Sequence, residues 1–291
     1  VSPGAWDAAA IAVKTLTYAA TLGAAGAVFF LRYSGTLIAS ADRLRIRHIV
    51  LVLSTLSVFA GAAQVMVSAG SMSGEAAGML DGSLLRMVWQ AGAGRTNAIR
   101  AIGLLIAALL VLSDRPSWLA FFGAAAAATS FAWTGHARSL KPDVLPVLLL
   151  NVHLLGVAFW LGALAPLSIV ARDSDLPRIA ATAARFGAAA VFVVGGLMAA
   201  GVTLLWILLG DFTALWGTTY GRYMIYKLAI VACLLCLAAF NKLRLTPRLR
   251  AGDSRAVRSL RASIRLELLL GVVILAITAT LTTVTGPPAL D

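Results

Sequence analysis

The stretch at 151–170, NVHLLGVAFWLGALAPLSIV, decides how the rest of the chain is read. It is apolar enough and long enough to cross a bilayer as a helix, and it carries a histidine. An ionisable side chain is costly in hydrocarbon, so one kept there should face protein or a water-filled cavity. His153 is therefore the residue to explain. On a helix His153, Gly156, Val157, Trp160 and Leu164 share one face, because residues three, four and seven apart stack together. That face presents an imidazole, a glycine that permits close approach, and an indole.

The whole chain has the same character. It is 60% apolar and 12% charged, with a mean hydropathy of +0.90, more apolar surface than a soluble domain of 291 residues can bury. A bilayer core of about 30 Å needs roughly 20 apolar residues per helix. Eight segments qualify, at about 8–31, 49–70, 98–113, 117–135, 144–170, 183–209, 223–240 and 264–285, the short third one lengthened by 91–97. The expected fold is all-α, a polytopic bundle of eight transmembrane helices.

A net charge of +12 would suit nucleic acid, but the positions of the charges argue for topology instead. Sixteen of the 24 Lys and Arg residues lie in or beside alternate loops, at 32–47, 115, 172–185 and 242–265. The positive-inside rule makes those loops cytoplasmic and places both termini outside, in the periplasm. The first apolar run is long enough to span and lacks a small-residue cleavage pattern, so it is expected to remain as a helix. The basic loops touch anionic lipid headgroups. His48, among Arg43, Arg45 and Arg47, reads as a solvated side chain at the inner boundary. Cys233 and Cys236 both fall inside the seventh helix, so no external disulfide framework is expected.

A duplication is visible. Trp89, Gly94, Arg95 and Arg100 spell W-x4-G-R-x4-R, and Trp216, Gly221, Arg222 and Lys227 spell W-x4-G-R-x4-K. GAVFFL from Gly26 matches GVAFWL from Gly156. Two parallel four-helix repeats follow, 1–142 and 143–291, related by an axis along the membrane normal. Histidine breaks the symmetry: Gly23 is the counterpart of His153, and Pro287 that of His136.

The candidate chemistry lies toward the outer side. His136 and His153 fall at the outer ends of adjacent helices, with Met66 and Met72 on the same side and Trp133 and Trp160 nearby. Imidazole binds copper in either oxidation state and thioether favours Cu(I), which makes these four residues candidate metal ligands. Packing is the competing reading for Met66 and Met72, and a hydrogen bond to a neighbouring helix is the competing reading for His153. Met198, Cys233 and Cys236 are further candidates for an inward transit step, although a free cysteine is also a small hydrophobe. Glu267 opens the eighth helix, where an acid is favoured by the macrodipole or by an ion pair; a role at the inner exit is the sharper alternative. Carboxylate pairs, nucleophile–base pairs and phosphate-cradling loops are all missing, so no enzyme activity is expected.

HLLGVAFWLGALAPL within 151–170, GRYMIYKLAIVACLLCLAAFNKLRLTPRL at 221–249 and IRLELLLGVVILAITATLTT within 264–285 resemble the CopD copper resistance family of bacterial inner-membrane proteins. The first half resembles it more loosely, through G-R-x4-R and the Gly135-His136 pair. The resemblance implies copper, as Cu(I) or Cu(II), passing from periplasm to cytoplasm, with a small periplasmic copper carrier of the CopC type as partner. It carries over His153, Trp160 and, through the looser match, His136. The chain lacks a dense external Met/His repeat. Two other classes compete: a haem or quinone electron-transfer bundle of the cytochrome b561 type, with haem between His136 and His153, and a docking scaffold that binds no metal.

Overall fold

A computed structural model describes residues 4–112, 117–133, 144–211 and 213–285. Among these the ordered structure is helical throughout. The helices are α1 (Ala5–Ser34), α2 (Ser40–Ser73), α3 (Gly82–Val88), α4 (Gly94–Val111), α5 (Trp118–Thr129), α6 (Val144–Gly162), α7 (Leu164–Val170), α8 (Leu176–Leu209), α9 (Ala214–Gly217), α10 (Thr219–Phe240), α11 (Thr246–Arg250) and α12 (Arg255–Leu281). Seven helical stretches among the described residues are long and apolar enough to cross a membrane, and an eighth apolar one, Trp118–Trp133, is shorter. The chain is an all-α multi-pass membrane protein.

Local chemistry sets the ends. Asp81, Ser117, Asp175 and Thr218 each accept a hydrogen bond from a main-chain N–H of the helix they precede. The span at 151–170 is divided at Ala163 into α6 and α7. Pro166 has no N–H to donate to Gly162, four residues back, which is where the regular helix stops.

Several boundaries differ from those read in the sequence. Arg43, Arg45, Arg47 and His48 belong to the first turns of α2 and not to a loop, and α10 runs on through a π-helical turn at Asn241–Leu245 into α11. The stretch left between the second and third spans contains α3 and a second π-helical turn, Trp89–Ala93, kinked at Gly92 (φ 100°). Basic residues extend these helices because their long stems cover apolar surface while the charge reaches water. Glu267 is likewise not in a first turn. α12 begins at Arg255, so Glu267 sits 12 residues into it, on the buried stripe formed with Leu260, Ile264, Gly271 and Ile274.

α1 is the central helix. It packs against α2, α5, α6 and α12, and almost every residue from Ala20 to Leu31 is buried. Its crossing with α6 is backbone against backbone. A methyl on Gly26 would collide with the main chain of Ala158 and Gly162, and one on Gly162 with that of Leu22 and Gly26. Small residues make such approaches where lipid offers no hydrophobic drive for association. Outward faces carry large apolar side chains, Phe192 being 82% exposed, as a helix against acyl chains requires.

Arg185 lies over the Tyr33 ring, Lys242 donates to Gly187 O and Arg261 to Ala171 O, so the basic segments of both halves gather at one end. At the other end Trp6 donates to Gly74 O, and Lys14 donates to Thr282 O.

Candidate functional site

His153 lies ten residues into the span at 144–170, nearer the end opposite the basic segments. The same face of α6 carries Gly156 and the buried Trp160. This face turns toward α8. A Cβ on Gly156 would stand 3.1 Å from Leu197, and one on Gly201 would stand 3.3 Å from both Cε1 and Nδ1 of the imidazole. The ring therefore occupies the space that a side chain at Gly201 would fill. Its Nδ1 is buried and has no hydrogen-bond partner. The Leu197 main chain lies beside the ring, and the ammonium of Lys227 on α10 is near enough for its charge to act on it.

An unpartnered buried nitrogen is costly, about 1–3 kcal/mol when its desolvation is not repaid. Nδ1 does not make the hydrogen bond weighed against ligation in the sequence; the ring's hydrogen bond to a neighbouring helix is with the Leu197 main chain of α8, and that reading stands beside ligation. Asn151 Oδ1 is buried and unpartnered as well. Residues two apart point to different sides of a helix, so it does not face the imidazole.

The remaining sequence candidates are dispersed. Met198 is three residues before Gly201 on α8, on the turn the imidazole covers, and half-buried. Met66 lines a different space, a cavity of about 590 Å³ between α2 and the α3–α4 segment, together with Trp89, Gln90, Asn97 and Arg100. Met72 is exposed. The structure thus does not bring Met66 or Met72 to His153. Cys233 and Cys236 are both on the exposed side of α10, whose packed side runs through Leu234. Trp160 is buried beside the site and Trp133 is half exposed. His136 lies outside the described residues, and with it the expected pairing with His153 for copper or for haem. His48 is exposed at the basic end, its Nδ1 2.9 Å from Leu44 O. Among the described residues no three His, Cys, Asp or Glu side chains converge on a metal position.

Two features escaped the sequence reading. Gly201 is the floor beneath the imidazole; its signal was a glycine in the helix that follows a buried histidine. Arg100, used only as a repeat marker, is 5% exposed. Its Nε donates to Ser130 Oγ at 3.1 Å, its Nη1 to Asn97 Oδ1 at 2.8 Å, and its guanidinium lies over Phe131. An arginine six residues inside an apolar helix was the signal there.

The fold defines the class, a polytopic helical membrane protein with an imidazole buried between two of its spans. Residues 5–141 match the family model described as copper resistance protein D-like, N-terminal domain, and residues 180–281 match that of copper resistance protein D. The chain belongs to the copper resistance protein D family of bacterial membranes. It is 28% identical over 221 residues to copper resistance protein D of Pseudomonas syringae pv. tomato, covering 69% of this chain and 66% of that protein. It is 26% identical over 161 residues to copper transport protein CutJ of Bacillus subtilis (strain 168), covering 54% of this chain and 28% of that protein. The chain thus spans under a third of one curated relative and about two thirds of the other. No solved structure matches. The match at 5–141 extends to the first half a resemblance that the sequence carried chiefly in the second. His153 falls between the two matched spans, so its role rests on geometry alone.

Proposed function

We propose that the chain conducts copper across the bacterial inner membrane, from periplasm toward cytoplasm, as a transporter and not an enzyme, with His153 as the ligand in the outer half. The observation that carries this reading is His153 Nδ1, buried, without a hydrogen-bond partner and seated over Gly201, with Met198 one helical turn along α8. Nitrogen and sulfur donors suit Cu(I), and a site with few ligands lets the ion leave as readily as it enters. The family and the printed names of the two relatives point to the same metal. In this reading the basic end is cytoplasmic. A small periplasmic carrier of the CopC type hands copper over at the opposite end, where Met66 and His136 serve capture. The pairing of α1 with α6, each in the same place in its half, supports two parallel repeats. Cys233 and Cys236, facing outward, are left off the path.

The test is copper binding by the purified protein. His153→Ala abolishes the site, and Met198→Leu weakens it about tenfold, roughly 1.4 kcal/mol. Unchanged stoichiometry and affinity in His153→Ala would falsify this assignment.

A further inference from the structure

At the basic end a second buried polar cluster has no part in that path. Glu267 is 2% exposed and sits on the packed stripe of α12. Both donors it receives go to one oxygen: Asn241 Nδ2 and Ser263 Oγ each donate to Oε1, the latter at 3.2 Å. No described residue donates to Oε2. Asn241 Oδ1, on the same amide, is buried and has no donor of its own. Turning the amide over would set its oxygen against Glu267 Oε1, acceptor against acceptor.

The surrounding charges are engaged elsewhere. Lys242 donates to Gly187 O, Arg261 to Ala171 O, Arg248 pairs with Asp253, and Arg32 lies over Trp118. Arg244, Arg258 and Arg265 are exposed, and no described Lys or Arg forms an ion pair with Glu267. Helices α6 and α7 bring no charged side chain to α12. A buried carboxylate without a cation is costly, and the neutral acid removes that cost. The neutral acid also resolves the hydrogen bonding. With its proton on Oε2, Glu267 has one donor to give, and Asn241 Oδ1 is the acceptor left over.

We propose that Glu267 and Asn241 form an exchangeable proton-binding site that couples movement of the cargo to protons. On release the proton leaves Glu267 Oε2 for water at the basic end, and the carboxylate stays held at Oε1 by Asn241 and Ser263. Asn241 is suited to such a switch. It opens the π-helical turn ahead of Pro247, its main-chain oxygen accepts from Thr246 N–H five residues on, and it is half-buried beside the exposed Lys242. Single π-helical turns of this kind recur at functional sites.

The proposal rests on copper passage for its coupling but not for its proton. Difference infrared spectroscopy of the full chain in liposomes, across a pH titration, reads the proton directly. Wild type shows a neutral-carboxyl carbonyl band that disappears in alkali, and Glu267→Gln lacks it. Copper(I) uptake with a pH-sensitive dye inside the liposomes reads the coupling. Uptake by wild type moves protons, whereas Glu267→Gln, which keeps a donor and an acceptor, binds copper normally yet loses at least about tenfold of the pH dependence. A band unchanged by Glu267→Gln, or a wild-type pH dependence in that variant, overturns the proposal. Wild type that takes up no copper but shows the band sinks the coupling and the copper reading, and leaves the proton site standing.

Discussion

His153 and Gly201 are one device seen from two helices. The glycine exists for the ring, and a side chain there would meet Cε1 and Nδ1 at 3.3 Å. Gly201→Ala should shift the ring by a few tenths of an ångström with little effect on copper. Gly201→Leu should displace it and weaken copper binding tenfold or more although every ligand is still present. Copper titration of the two variants, with circular dichroism to show that the helices persist, separates a positioned imidazole from a merely present one. His153 was legible in the sequence because a histidine in an apolar run stands out. Gly201 was not, because periodicity orders residues around one helix and says nothing about which neighbour that helix meets. Glu267 was misplaced for a related reason. The basic run before it was read as loop, when its Val257, Leu260 and Ile264 are spaced to continue the buried stripe.

At the scale of elements, the crossing of α1 with α6 has no room for a side chain. Gly26→Leu should destabilise the bundle by about 3 kcal/mol or more, at the upper end of overpacking costs, since backbone must move and not only rotamers. Thermal unfolding in detergent checks it. Gly187→Leu, at a position with nothing within 4 Å, is the control and should be near neutral. The turn between α7 and α8 is held differently. Asp173 accepts from the guanidinium of Arg178 and from the N–H groups of Asp175 and Ser174, which keeps its carboxyl below the usual carboxylate range. A depressed carboxyl contributes order above its unfolded value, near 3.9, and loses it as pH falls through the folded one. Protection of the 172–178 amides against hydrogen exchange should therefore be constant at neutral pH and drop in acid. Asp173→Asn should show the low protection at every pH. The side chain is half-buried in a turn whose partners are all within 173–178, so the effect is local. These spans were largely legible from length and hydropathy. Their ends were not, because basic side chains prolong helices past the apolar core.

For the whole molecule, the gathering of basic segments at one end makes orientation testable. Ala251, exposed in that end, and Gly82, exposed at the other, are sites for single cysteines in a chain whose own two cysteines face outward along α10. A membrane-impermeant thiol reagent should label Gly82→Cys in intact spheroplasts, and Ala251→Cys only after the inner face is opened. The reverse pattern would invert the direction proposed for copper. That the histidine, the methionines and the cysteines would scatter over separate interfaces was beyond the sequence. One-dimensional spacing placed them along one inward path, but order along a path does not make two residues neighbours.

The glycine crossing also bears on how the two halves of the chain differ. With α1 and α6 touching main chain to main chain, the crossing at Gly26 and Gly162 is a closed seam. At Gly23, which the sequence aligns with His153, the space is already taken: Leu53 Cδ1 stands 2.9 Å from where a Cβ would begin. A ring like that of His153 therefore has no room at the aligned position, and the asymmetry read in the sequence is enforced by volume.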